Sequence, residues 1–196
     1  MKFLFTNLIL GASALGFIGC APAATNTNRA VLNTNTNTAV TNSNMSSSMN
    51  KGVSSGDQEF LNKALLNGLV EVQTSGNAIT KAQNEEVRAF AQKMISDHSK
   101  ANKELKELGR ERSAAMVGGT GSEEQKEMNE LLKLSGAAYD KEYVKKMVAA
   151  HEKDVEVFQK QADGGTDAGL KKFAAETLPT LKMHLKMIKD LQGKLK

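Results

Sequence analysis

The sequence predicts an all-α protein built around a four-helix bundle, and three observations carry that prediction. From Asp57 onward, apolar residues recur in steps of three and four along four long stretches, the spacing that lines one face of a helix. Capping residues and glycines punctuate those stretches where helices begin and end. No segment in this part reads as a strand.

The chain before Asp57 is of another kind. Lys2 is the only charge ahead of Cys20, and Phe3 to Ile18 form a short apolar run. Residues 1–19 therefore read as an export signal, too short to span a bilayer comfortably. The run ends in Leu15-Gly16-Phe17-Ile18-Gly19-Cys20, which resembles a bacterial lipobox, with Phe17 and Ile18 where leucine and a small residue are usual. Cleavage after Ala21-Pro22-Ala23 is the competing reading and would discard Cys20. Cys20 is the sole cysteine and stands where lipidation needs it, so a membrane anchor at Cys20 is expected. Ala21 lacks the aspartate that retains some lipoproteins at an inner membrane, which makes the expected location the outer membrane, facing the periplasm. No thiol is then left for disulfides, thiolate zinc sites or cysteine nucleophiles.

Residues 20–56 are Asn/Thr/Ser-rich, with Asn26, Asn28, Asn33, Asn35 and Asn37 set mostly among threonines. The stretch has no aromatic and no acidic residue, cannot bury a core, and reads as a disordered tether. Lys2, Arg29 and Lys51 precede Asp57, whereas all 22 acids lie from Asp57 onward, so the helical part (57–196) carries a net charge of only +1. Lysines and glutamates interleave along its helices as on a solvated face, and no basic stripe offers itself to nucleic acid.

A first helix is expected to run to about Lys81, with Gly68 and Gly76 admitting a neighbour. Asn84 is placed to cap the second, and Glu85 and Glu86 suit the positive end of its dipole. It reaches about Arg112, before Gly118-Gly119-Thr120-Gly121 breaks the pattern. Ser122 with Gln125 suggests a capping box for a short extra helix near Glu123–Leu134. Asp140 reads as the cap of the third long helix, which extends to about Ala162, and Thr166 or Asp167 as the cap of the fourth. Pro179 lies inside that last helix, where a kink is expected. The link from Ser113 to Gly136 is long enough either for an up-down path or for a crossover between parallel helices.

The chain's histidines, His98, His151 and His184, each fall on the apolar seam of a different helix. Their seams read Val87, Ala91, Met94, His98, Ala101, Leu105; Val144, Met147, His151, Val155, Phe158; and Leu181, His184, Ile188, Leu191. Glu71 borders the apolar face of the first helix. At 1.5 Å per residue, Glu71, His98, His151 and His184 lie roughly 15, 20, 17 and 24 Å from their hairpin ends, and so share a layer. An imidazole in such a core needs partners for both nitrogens. Two readings satisfy that need: a shared transition-metal ion bound by Glu71, His98, His151 and His184, or separate pairing of each histidine with carboxylates and backbone. Imidazoles with one carboxylate suit copper, zinc or iron and not magnesium or calcium. Met94, Met147 and Met187 accompany the histidines and would suit copper(I), but such methionines more often fill bundle cores. Tyr143 shares the face of His151 and reads as buried with a hydrogen-bonded hydroxyl. Asp97 and Glu152 point about 100° away from their neighbouring histidines and read as surface groups, with acceptance from a histidine on an adjacent helix as the alternative.

Several phrases recur together in one family: Phe60-Leu61, Glu71-Val72, Val87-Arg88-Ala89-Phe90-Ala91, Asp97-His98, Tyr139-Asp140, Met147-Val148, His151, Leu178-Pro179 and His184-Leu185. On these the chain resembles the ferritin-like domain-of-unknown-function 4142 family of bacterial export-targeted proteins. The resemblance implies a ferritin-like four-helix fold and an envelope location, and no established activity. Di-iron bundles place a glutamate three residues before each ligating histidine; here those positions hold Ile95, Val148 and Leu181, so that centre is not expected. Val155 stands where a zincin needs its second histidine, and no serine elbow or phosphate loop occurs, so no enzyme class is indicated. The sequence therefore leaves a lipid-anchored metal-binding bundle set against a metal-free structural, interaction or stress-related envelope module.

Overall fold

The computed structural model describes residues 52–195. The export signal, Cys20 and the tether up to residue 51 lie outside the described residues. Five helices follow one another: α1 (Ser55–Lys81), α2 (Glu85–Glu111), α3 (Ser122–Leu132), α4 (Gly136–Gly164) and α5 (Ala168–Lys194). Among the described residues there is no strand, and no helix is long and apolar enough to cross a membrane.

Local chemistry sets most of the helix ends. Asn84 accepts from the amides of Glu86 and Val87 at the start of α2, and Asp167 accepts from Leu170 at the start of α5. α1 opens two residues ahead of Asp57 because Ser54 caps it, its hydroxyl accepting from the Asp57 amide at 3.2 Å. Two expected caps do not form. Ser122 is already the first helical residue of α3, with Gly121 at the cap position, so the Ser122–Gln125 box is absent. α4 begins at Gly136, four residues before Asp140, so that carboxylate lies within the helix. Asp140 instead accepts from the amides of Gln83 and Asn84, at 3.1 and 2.8 Å, and so caps the turn between α1 and α2. α5 carries Pro179 and is helical from Ala168 to Lys194.

Cross-helix contacts decide the topology. Asp57 meets Gln161, Asn67 meets Asp154, and Ser75 meets Tyr143, so α1 and α4 run antiparallel. Glu86 pairs with Lys194, Asp97 with His184, and Arg112 with Asp167, so α2 and α5 do as well. The turns at 82–84 and 165–167 make α1–α2 and α4–α5 antiparallel hairpins. The packed pairs place the helices around the bundle in the order α1, α2, α5, α4. α2 and α4 are therefore parallel, and the connection through α3 is a crossover that returns along the bundle over α1 and α4.

Asp57 pins one end of this arrangement. It is buried and accepts from Gln161 Nε2 (2.7 Å), the Thr166 amide (3.1 Å) and the Asp167 amide (3.0 Å), which ties the start of α1 to the α4–α5 turn. Burial alone would raise its pKa, but bonds from Thr166, Gln161 and Ser54 outweigh it and hold the group down at about 2.

The bundle core is divided. One apolar cluster gathers Ala78, Phe90, Met94, Tyr139, Tyr143 and Ile188; the other gathers Phe60, Leu61, Leu65, Leu105, Phe158 and Leu181. Fully burying such a side chain contributes roughly 1.5–3 kcal/mol. Between the clusters lies a slab of buried polar groups: Glu71, His98, Asn102, His151, Asp154 and His184. Gly68 makes room within it, since a Cβ there would stand 2.2 Å from Asn102 Oδ1. Gly76 faces open space and admits no neighbour.

Candidate metal centre

Each helix of the bundle delivers one member of the expected set. Glu71 comes from α1, His98 from α2, His151 from α4 and His184 from α5. His151 and His184 are wholly buried, Glu71 is 1% exposed and His98 6%. The three rings form a nearly equilateral triangle, with centroid separations of 5.5, 5.4 and 5.5 Å. One ligating nitrogen from each lies within 4.8 Å of the others. Tetrahedral coordination with bonds of roughly 2.0–2.1 Å sets such nitrogens roughly 3.4 Å apart, so closure asks for ring shifts of no more than about 1 Å.

One nitrogen of every ring stands close to a protein oxygen. His98 Nδ1 stands 2.9 Å from Glu71 Oε2, and His151 Nδ1 stands 3.2 Å from Glu71 Oε1. Neither contact is well aligned as a hydrogen bond; His151 Nδ1 has its aligned partner in the Met147 carbonyl at 3.0 Å. His184 Nε2 lies 2.8 Å from Asp97 Oδ2, and Asp97 is in turn held by Lys93 at 3.0 Å. The other nitrogens, His98 Nε2, His151 Nε2 and His184 Nδ1, are buried with no hydrogen-bond partner. A carboxylate or carbonyl on one ring nitrogen fixes the tautomer that leaves a lone pair on the other, which is how metal-binding histidines are held.

The electrostatics of the slab favour neutral rings. Burial pushes His98, His151 and His184 below their ordinary value, His151 to about 4, against the pull of nearby carboxylates. Burial also raises Glu71, and raises Asp154 to about 8 with help from the Glu71 charge beside it. Asp154 Oδ1 accepts from Asn67 at 2.6 Å.

Comparison with known proteins agrees with this architecture. The model of a family described as "Domain of unknown function (DUF4142)" matches residues 42–191. The chain belongs to that family. No curated protein matches it. Among solved structures, a DUF305 fragment from Deinococcus radiodurans is similar with a TM-score of 0.65 and 11% identity, over 73% of this chain and 99% of that one. A putative secreted DUF305 protein from Streptomyces coelicolor gives 0.63 at 16% identity, over 71% and 92%. CopM in its Cu(II)-bound form gives 0.57 at 17%, over 71% and 97%. Likeness at such identity establishes the helical-bundle fold alone.

The structure thus brings His98, His151 and His184 together and places Glu71 against the Nδ1 side of two rings, outside the group of three nitrogens. Met94 and Met147 are buried in the first apolar cluster, whereas Met187 is 37% exposed. The Tyr143 hydroxyl bonds Ser75 Oγ at 2.9 Å. Glu152 pairs with Lys189 at the surface. Asp154 was not anticipated, although its position three residues after His151 and four before Phe158 put it on the buried face of α4.

Asp154 gives the slab a testable pH signature. Its folded pKa is raised, so its contribution to stability is fully present below its unfolded value near 3.8 and is lost as pH rises through about 8. Asn mimics the protonated acid. Asp154→Asn should therefore melt close to the parent at pH 5 and above it at pH 8.5; a variant that melts well below the parent at both values would contradict the assignment.

Proposed function

We propose that this bundle binds a single transition-metal ion through His98 Nε2, His151 Nε2 and His184 Nδ1, with Glu71 and Asp97 orienting the rings. The observation that carries this reading is three buried histidines from three helices whose ligating atoms lie within 4.8 Å of one another, each ring having one buried nitrogen without a hydrogen-bond partner. A metal-free module predicts histidines satisfied by carboxylate and backbone on both nitrogens. Here each ring has one such partner and lacks the second. Neutral imidazoles suit copper, zinc and iron(II). Copper is placed first because a structural neighbour, CopM, is a Cu(II)-bound protein. The ion would supply Lewis acidity or, for copper and iron, one-electron chemistry; the chain's own residues hold the rings, keep them neutral and exclude water on the Phe90 side, where that ring meets His151 and His184 edge-on.

We further propose that the bundle is held in the cell envelope by a lipid on Cys20, at the outer membrane facing the periplasm. The lipobox-like Leu15–Cys20 run and the low-complexity spacer support that placement.

Two outcomes are expected. A hundredfold excess of copper over its dissociation constant stabilises a folded protein by roughly 2.7 kcal/mol, which should raise the melting midpoint of the full chain by roughly 5–10 °C. His151→Ala should abolish most of that rise. With His151 lowered to about 4, binding should persist at pH 6 and fail towards pH 4 as protons take the rings. Unchanged melting with copper, zinc and iron(II) alike would remove the metal from the account. For the anchor, mass spectrometry of the mature N-terminus should show diacylglycerol on Cys20; a free amine on Ala24 would exclude it.

A further inference from the structure

The three-nitrogen group has no fourth protein donor among the His, Cys, Asp and Glu side chains of the described residues. Structural metal sites close with four protein ligands, whereas sites that bind something else leave a position open. Beside the rings the slab contains a cavity of ≈ 30 Å³ bordered by His98, His184, Glu71, Asp154 and Asn102. About 10–15 Å³ measured this way suffices for one water, provided it finds two to four polar partners. Asn102, Thr177 and Thr180 border the same space, beside apolar residues such as Leu105 and Phe158.

The cavity also has a way out. Asp97, Ala101, Thr177 and Thr180 border both it and a surface groove of ≈ 380 Å³ between α2 and α5, which reaches Lys93 and Lys100. Phe90 covers another side of the rings. The Phe90 ring packs edge-on with its centroid 6.2 Å from His184 and 6.5 Å from His151. A route to the centre therefore runs through this chamber and opens between α2 and α5.

We infer that this chamber holds an exchangeable small ligand, water or a small anion, that completes the coordination of the ion, so that the centre is open rather than a closed structural site. The inference rests on the three-histidine metal reading and adds to it a class of exogenous ligand and a route of exchange. Asn102, from α2, and Thr177 and Thr180, from α5, are its positioning groups. Their side chains carry one amide and two hydroxyls.

Azide is the probe. The full chain is loaded with copper(II), its metal content is measured, and azide is titrated while the charge-transfer absorption and electron paramagnetic resonance spectrum are followed. One azide per copper should bind, with a new charge-transfer band. Thr177→Leu, which fills the chamber from an apolar-seam position of α5, should keep the copper content and weaken azide by about tenfold or more. Ala101→Leu does the same from α2 should the first variant fold poorly. A protein that takes up no copper overturns the metal reading and this inference with it. Full copper loading without an azide band overturns the open position alone. Equal azide affinity in the parent and in a folded, copper-loaded variant overturns its location in the chamber.

Discussion

A buried imidazole presents two nitrogens, and the bundle supplies a protein partner to only one of them on each of three rings. Leaving a buried polar atom unpaired costs about 1–3 kcal/mol, and three such atoms in one layer weigh heavily against a net folding stability of about 5–15 kcal/mol. The remaining architecture answers that cost. Apolar clusters above and below the slab carry the burial that holds the helices together. The carboxylates of Glu71 and Asp97 and the carbonyl of Met147 stand against one nitrogen of each ring, and the three rings bring ligating atoms within 4.8 Å of one another.

The crossover topology follows from the same requirement. Antiparallel packing of α1 on α4 and of α2 on α5 brings mid-helix positions to one height in all four helices. Asp57 fixes the register at one end by joining α1 to the α4–α5 turn, and Asp140 fixes it at the other by capping the α1–α2 turn. Both aspartates spend their charge on backbone amides distant in sequence. That is why a buried carboxylate at either position is stable without a cation.

What could be read from the sequence was what is local or periodic. The seams follow from a spacing of three and four, the caps at Asn84 and Asp167 from side chains that reach amides two or three residues on, and the shared layer from counting the helical rise. What escaped depends on partners far along the chain. Asp140 looks like a cap for its own helix until Gln83 and Asn84 are placed beside it. The length of the 113–136 link allowed both topologies, and only pairs such as Asn67 with Asp154 select the crossover. Glu71 was legible as an acid at the border of the apolar face, but which side of the imidazoles it meets depends on ring orientation, which no spacing encodes. Asp97 points away from His98 on its own helix, and for that reason it reaches His184 on another.

The electrostatic design is economical in charge. Asp154 retains a proton, burial raises Glu71 as well, and burial keeps the rings neutral with their lone pairs available near pH 7. The most direct test of this account is X-ray absorption spectroscopy at the copper edge of the copper-loaded full chain. The account predicts nitrogen or oxygen scatterers near 2.0 Å with the outer-shell pattern of three imidazoles and no sulfur. A sulfur shell near 2.3 Å, or fewer than three imidazoles around the ion, would contradict it.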